Sequence, residues 1–129
     1  MTYSTQIKEV SKLFPDICVV TVFGSVVSGR TTPDSDIDIG VAGDRPLSFD
    51  QKTDLLLAFS RVLVYEVDLI DLQAVSGLIL QQALCTGKVI IKDDFVYPAL
   101  IKKMWFEQVD MMPLTRMVLE RHCRRFANG

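Results

Sequence analysis

Two carboxylates separated by a single residue, Asp36 and Asp38, follow a Gly24-Ser25 pair after ten intervening residues. In an extended strand, side chains two residues apart leave the same face about 6.6 Å from one another. Like charges that close weaken a fold unless something positive lies between them. A divalent cation is the natural partner, since Mg²⁺ typically combines one or two carboxylates with substrate phosphates. A lone acid pair of this spacing also fits a plain solvated strand face. Here, however, the alternating neighbours Ile37, Ile39 and Val41 are core-like.

Gly24 and Ser25 fall where an apolar strand, residues 17–23 (ICVVTVF), gives way to a short helical turn at residues 26–28. Free backbone N–H groups at a helix start bind phosphate, helped by the local dipole. Gly lets a ligand approach the backbone, and the Ser hydroxyl adds a donor. Gly-Ser in isolation marks only an ordinary turn. A third acid, Asp68, sits inside the otherwise apolar EVDLIDL of residues 66–72. If that strand lies beside Asp36 and Asp38, three carboxylates converge. Such a set holds two metals about 3.5–4 Å apart, the arrangement that stabilises both oxygens of an in-line phosphoryl displacement. Asp68 is then placed to take the proton of an acceptor hydroxyl. Its competing reading is a strand-end acid paired with a base. Asp71 falls on the other strand face and reads as a cap for the next segment, and Glu66 as an edge acid.

The elements that must hold these residues are legible as a pattern. Ile7, Val10, Leu13 and Phe14 recur at helical spacing, which predicts a helix over residues 4–14. Residues 17–23 predict a strand buried on both faces. Residues 36–41 alternate as a half-polar strand. Ser48 is the expected N-cap of a helix over 49–63. Residues 66–72 predict a third strand, 74–86 a helix closed by Gly87, and 88–92 (KVIIK) a fourth strand. A helix follows Asp93-Asp94, and Pro113 is expected to break it before a last helix over residues 114–126. This order predicts an α/β (α+β) fold with one small mixed sheet flanked by helices. Residues 1–94 are expected to form the core, and residues 95–129 a C-terminal helical extension packed on the same domain.

The segment VFGSVVSGRTTPDSDIDIGV, residues 22–41, together with Asp68 in its apolar strand, resembles the DNA polymerase β-like nucleotidyltransferase superfamily. It is similar in particular to minimal nucleotidyltransferases, some of which are antitoxins paired with HEPN ribonuclease toxins. The resemblance covers residues 20–92 and implies a polymerase β palm-like fold. It implies transfer of NMP from an NTP, with ATP and AMP expected, to an acceptor hydroxyl, with release of pyrophosphate. By the same resemblance Gly24 and Ser25 would grip the triphosphate and Asp36 and Asp38 would bind two Mg²⁺ ions. Asp68 would complete the metal site and help activate the acceptor. Arg30 would neutralise the triphosphate, though a surface role suits it equally. The acceptor implied for an antitoxin is a tyrosine of its HEPN-type toxin. The alternatives are a stand-alone transferase acting on a nucleic acid or small substrate, and a noncatalytic nucleotide-sensing or partner-binding module.

Composition narrows the field. With 129 residues there is room for one domain and almost none for a second that would grip base and acceptor. A protein partner or a second subunit is therefore expected to complete the site. The net charge is −2, so a nonspecific nucleic-acid coat is not favoured. Residues 1–94 carry a balance of −5 and residues 95–129 one of +3. Three well-separated cysteines, Cys18, Cys85 and Cys123, read as isolated reduced thiols. With no signal-like N-terminus and no stretch able to span a bilayer, a cytoplasmic protein without membrane contact is expected. His122 and its basic neighbours read as a solvated helix face.

Overall fold

The computed structural model describes residues 2–24 and 36–109. The expected turn at 26–28, the break at Pro113, the last helix and His122 lie outside the described residues. Helix α1, Tyr3–Ser11, leads to strand β1, Val19–Phe23, and β2 is Asp36–Ala42. Helix α2, Phe49–Val62, connects β2 to β3, Glu66–Asp71. Helix α3, Gly77–Gln81, runs directly into a π-helical turn, Gln82–Thr86. Strand β4, Lys88–Ile91, and helix α4, Val96–Val109, complete the described chain.

The four strands form one mixed sheet in the order β3-β2-β1-β4. β1 is antiparallel to both its neighbours. β2 and β3 are parallel, which requires a crossover, and α2 supplies it. The wholly apolar β1 takes the centre and is buried along its entire length. On one sheet face Val20, Val22, Ile37, Ile39 and Leu69 pack against Ile7 and Val10 of α1 and Leu55 and Phe59 of α2. On the other, Val19, Phe23 and Ala42 pack against Leu80 and Leu84 and against Leu100 and Met104 of α4. Each fully buried large side chain here contributes on the order of 1.5–3 kcal/mol. Helices thus cover both faces, as the α/β expectation required.

One expectation needs correction. The helix predicted over 74–86 starts only at Gly77, because Ser76 before it is extended and Gly77 itself takes a left-handed φ of +64°, which a continuous right-handed helix does not include. Side chains occupy the backbone around this break. The Asp71 carboxylate accepts from Gln73 N at 2.9 Å, and Lys103 Nζ donates to Val75 O at 3.1 Å. Glu107 accepts from Gly77 N at 3.0 Å. Of the cysteines, Cys18 is free, and Cys85 is buried with its Sγ 3.5 Å from Met104 Sδ. Cys123 lies outside the described residues. No helix among the described residues is long and apolar enough to cross a membrane.

Candidate active site

Strand register decides which acids meet. Asp38 stands opposite Asp68 on β3 and opposite Phe23 on β1, and Asp36 stands opposite Glu66. The intervening residues Ile37, Ile39, Val67 and Leu69 turn into the core on the α1–α2 face. Asp36, Asp38, Glu66 and Asp68 therefore share the other face, at the end of the sheet that α3 and α4 leave open. Asp36, Glu66 and Asp68 are exposed and Asp38 is half-buried.

Desolvation beside the buried Phe23 is the main cause that pushes the Asp38 carboxyl above its ordinary range; the charges of Asp68 and Asp36 and a hydrogen bond shared with Asp68 add to it. A divalent cation placed beside these carboxylates would offset the like charge that raises Asp38.

Gly24 closes the site from the β1 side. Its φ of +91° is one that side-chain-bearing residues rarely adopt, and a Cβ here would collide with Asp38 Oδ2. Gly24 is thus required twice, by its backbone angle and by its contact with the acid. This places an exposed backbone directly beside the carboxylate, at the sheet end where β1 finishes. The other two members of the expected phosphate grip, Ser25 and Arg30, lie outside the described residues.

Among the described residues no group of three or more His, Cys, Asp and Glu is gathered closely enough to hold a metal ion. The donor set nevertheless fits Mg²⁺, which takes hard carboxylate oxygens in small number and completes its shell with water and phosphate. The geometry behind that fit is Asp38 opposite Asp68 on the neighbouring strand, with the Cβ-free Gly24 against its Oδ2.

Asp71, on the same strand as Asp68, sorts away from this row. Asp71 is buried and accepts from Leu47 N at 2.8 Å as well as from Gln73 N, which makes it a structural clamp, as its place on the opposite strand face suggested. The spacing of two already puts Glu66 on the strand face of Asp68, with an edge acid favoured over support of the metal site; its register opposite Asp36 puts it on the shared acidic face.

The family model described as polymerase β, nucleotidyltransferase, matches residues 5–95. Several solved structures are similar in fold. A toxin–antitoxin complex with AMP-PNP contains a chain 23% identical, with a TM-score of 0.69, covering 90% of this chain and 98% of its own. A mutant MntA–HpeT toxin–antitoxin complex gives 21% identity and a TM-score of 0.73, with 94% and 98% covered. A complex of tri-AMPylated Shewanella oneidensis HEPN toxin with MNT antitoxin gives 21% identity and a TM-score of 0.61, with 92% and 99% covered. No curated protein sequence matches.

Proposed function

This chain belongs to the polymerase β nucleotidyltransferase family, and we propose that it transfers AMP from ATP to a tyrosine hydroxyl of a HEPN-type toxin, acting as its antitoxin. The observation that carries the reading is the row in which Asp38 stands in register with Asp68 and against Gly24, with Asp36 one pleat away. Support for the acceptor comes from the similar complexes, one described with AMP-PNP and one with an AMPylated HEPN toxin. ATP as donor agrees with the expected cytoplasmic setting.

In this proposal Asp36 and Asp38 hold two Mg²⁺ ions together with the triphosphate, and Asp68 completes the set. The ions supply charge neutralisation at the transferring phosphoryl group. The backbone at Gly24, followed by Ser25, holds the triphosphate in line, and Arg30 offsets its charge. Asp68 faces the acceptor and takes the proton of its hydroxyl. The acceptor oxygen forms a bond to the α-phosphorus as the bond to the β-phosphate oxygen breaks, and pyrophosphate leaves. With the family model ending at residue 95, the wall for base and acceptor comes from residues 95–129 and from the partner.

The test is incubation with α-labelled ATP, Mg²⁺ and the candidate toxin. Label is expected on a toxin tyrosine. Asp36→Ala/Asp38→Ala should lower transfer by roughly a hundredfold or more, the scale of losing a principal charge stabiliser of the transition state. Label appearing instead on nucleic acid or a small alcohol would establish the stand-alone transferase. No transfer by wild type with any divalent metal would leave only the noncatalytic module.

A further inference from the structure

At the end of the sheet away from these acids the chain builds a second feature. Residues 12–17 approach β1, and residues 43–47 leave β2; four strand residues, about 13 Å, separate that end from Asp38. Between these segments and the start of α2 lie two adjoining hollows of about 210 and 320 Å³. The smaller has an apolar floor that includes Phe14, Ile17 and Leu55. The larger is bordered by Asp44 and Arg45. Asp16, Leu47 and Gln51 line both, which makes them one continuous groove.

The groove is preformed. Leu47 N donates to the Asp71 carboxylate at 2.8 Å, and Gln73 Nε2 donates to Gly43 O at 2.7 Å. Gly43 lets the two walls touch, since a Cβ there would stand 2.8 Å from Asp16 O. Walls held in this way need little ordering on binding.

Charge and shape together select the occupant. Asp16, Asp44 and Asp54 line the groove against a single base among the described residues, Arg45, which stands 4.0 Å from Asp44. The negative field extends to the neighbouring Cys18, whose thiol is pushed up first by burial and then by Asp93, Asp44 and Asp16. Leu13, on the rim of the apolar hollow, is 72% exposed. A nucleic acid or phosphate ligand is repelled here. Volume alone does not select the occupant, since the two hollows together fall within the roughly 300–1,000 Å³ of small-molecule sites. The pairing of an apolar hollow with an acidic rim does. A large apolar side chain seated beside Leu13 and Leu55, with Lys or Arg on either flank, complements both the floor and the rim.

We propose that this groove docks a short segment of a partner protein that presents a large apolar side chain flanked by lysine or arginine. The docking point is remote from the acidic sheet end, so it tethers the partner without occupying the nucleotide site. The inference stands independently of the transferase reading, because its test measures binding without nucleotide or metal.

The experiment uses the full chain in EDTA with fluorescein-labelled peptides and reads anisotropy. One peptide alternates Leu with Lys and Arg; a second replaces Leu by Ser; a third replaces the bases by Glu. Saturable binding of the first is expected, with the other two at least tenfold weaker. Asp16→Asn/Asp54→Asn and, separately, Leu13→Ser should each weaken the first peptide at least fivefold. All three positions are solvent-exposed, and neither acid makes an ion pair among the described residues, so these variants keep the fold. Asp36→Asn/Asp38→Asn should leave peptide binding unchanged. The proposal is overturned if the first peptide does not saturate, or if the groove variants leave its binding intact. It is overturned equally if binding is lost with the Asp36 and Asp38 variant. Light scattering that shows a dimer disrupted by the groove variants would assign the face to a second copy and overturn it too.

Discussion

Burial beside Phe23 and the charges of Asp68 and Asp36 hold the Asp38 proton more tightly in the folded chain than in the unfolded one. Its contribution is therefore stabilising at pH below the ordinary carboxylate value and fades as pH rises through the raised one. The metal-free protein should lose stability over that rise. Asp38→Asn has no such titration and removes like charges from directly opposed strand positions. It should exceed wild type by about 0.5–1 kcal/mol near neutral pH, with the difference closing in acid. Urea unfolding across pH in EDTA measures this, and a variant no more stable than wild type at neutral pH would contradict it. At this scale much was legible: the spacing of Asp36 and Asp38 and the apolar setting of Asp68 named the acids. Which of them carries the raised pKa was not legible. That depends on Phe23 and Asp68 flanking Asp38, a matter of strand register that no local pattern encodes.

Helix α4 is anchored by a single acid just before it. Asp93 accepts from Val96 N at 3.1 Å and from Tyr97 N at 2.9 Å. Desolvation alone would raise its pKa, but the backbone N–H groups of Tyr97, Val96 and Phe95 outweigh that and hold it below the ordinary carboxylate range. A depressed folded-state pKa gives stability that is present above the ordinary value and lost as pH falls through the depressed one. Asp93→Ala should cost about 1 kcal/mol near neutral pH, as for a lost helix cap. The cost should shrink once acid protonates the wild-type carboxylate. Urea midpoints of both proteins at neutral and acid pH test this, and an undiminished gap in acid would refute the cap. Elements with their own punctuation were read closely. Ser48 is the N-cap of α2, with Gln51 Oε1 accepting from Ser48 N at 2.9 Å to close a capping box. The helix expected from residue 74 is interrupted at the extended Ser76 and the left-handed Gly77. Lys103 and Glu107 of α4, 28 and 30 residues away in sequence, bond Val75 O and Gly77 N at that break. Periodicity has no access to such a contact.

At the scale of the whole molecule, residues 1–94 carry a balance of −5, and four of those acids face one another across the β2–β3 pair. If the row holds Mg²⁺ with a triphosphate, metal and nucleotide must stabilise the fold together, since each supplies charge that the other requires. A ligand at a hundred times its dissociation constant adds about 2.7 kcal/mol, which for a domain of this size raises Tm on the order of 10 °C. Thermal unfolding should therefore rise by that amount with Mg²⁺ and the nonhydrolysable analogue AMP-PNP together, and by clearly less with either alone. Asp36→Ala/Asp38→Ala should show no joint rise, whatever its own metal-free Tm, because the carboxylates that hold metal and triphosphate together are gone. Equal shifts in wild type and variant would place nucleotide binding elsewhere on the molecule.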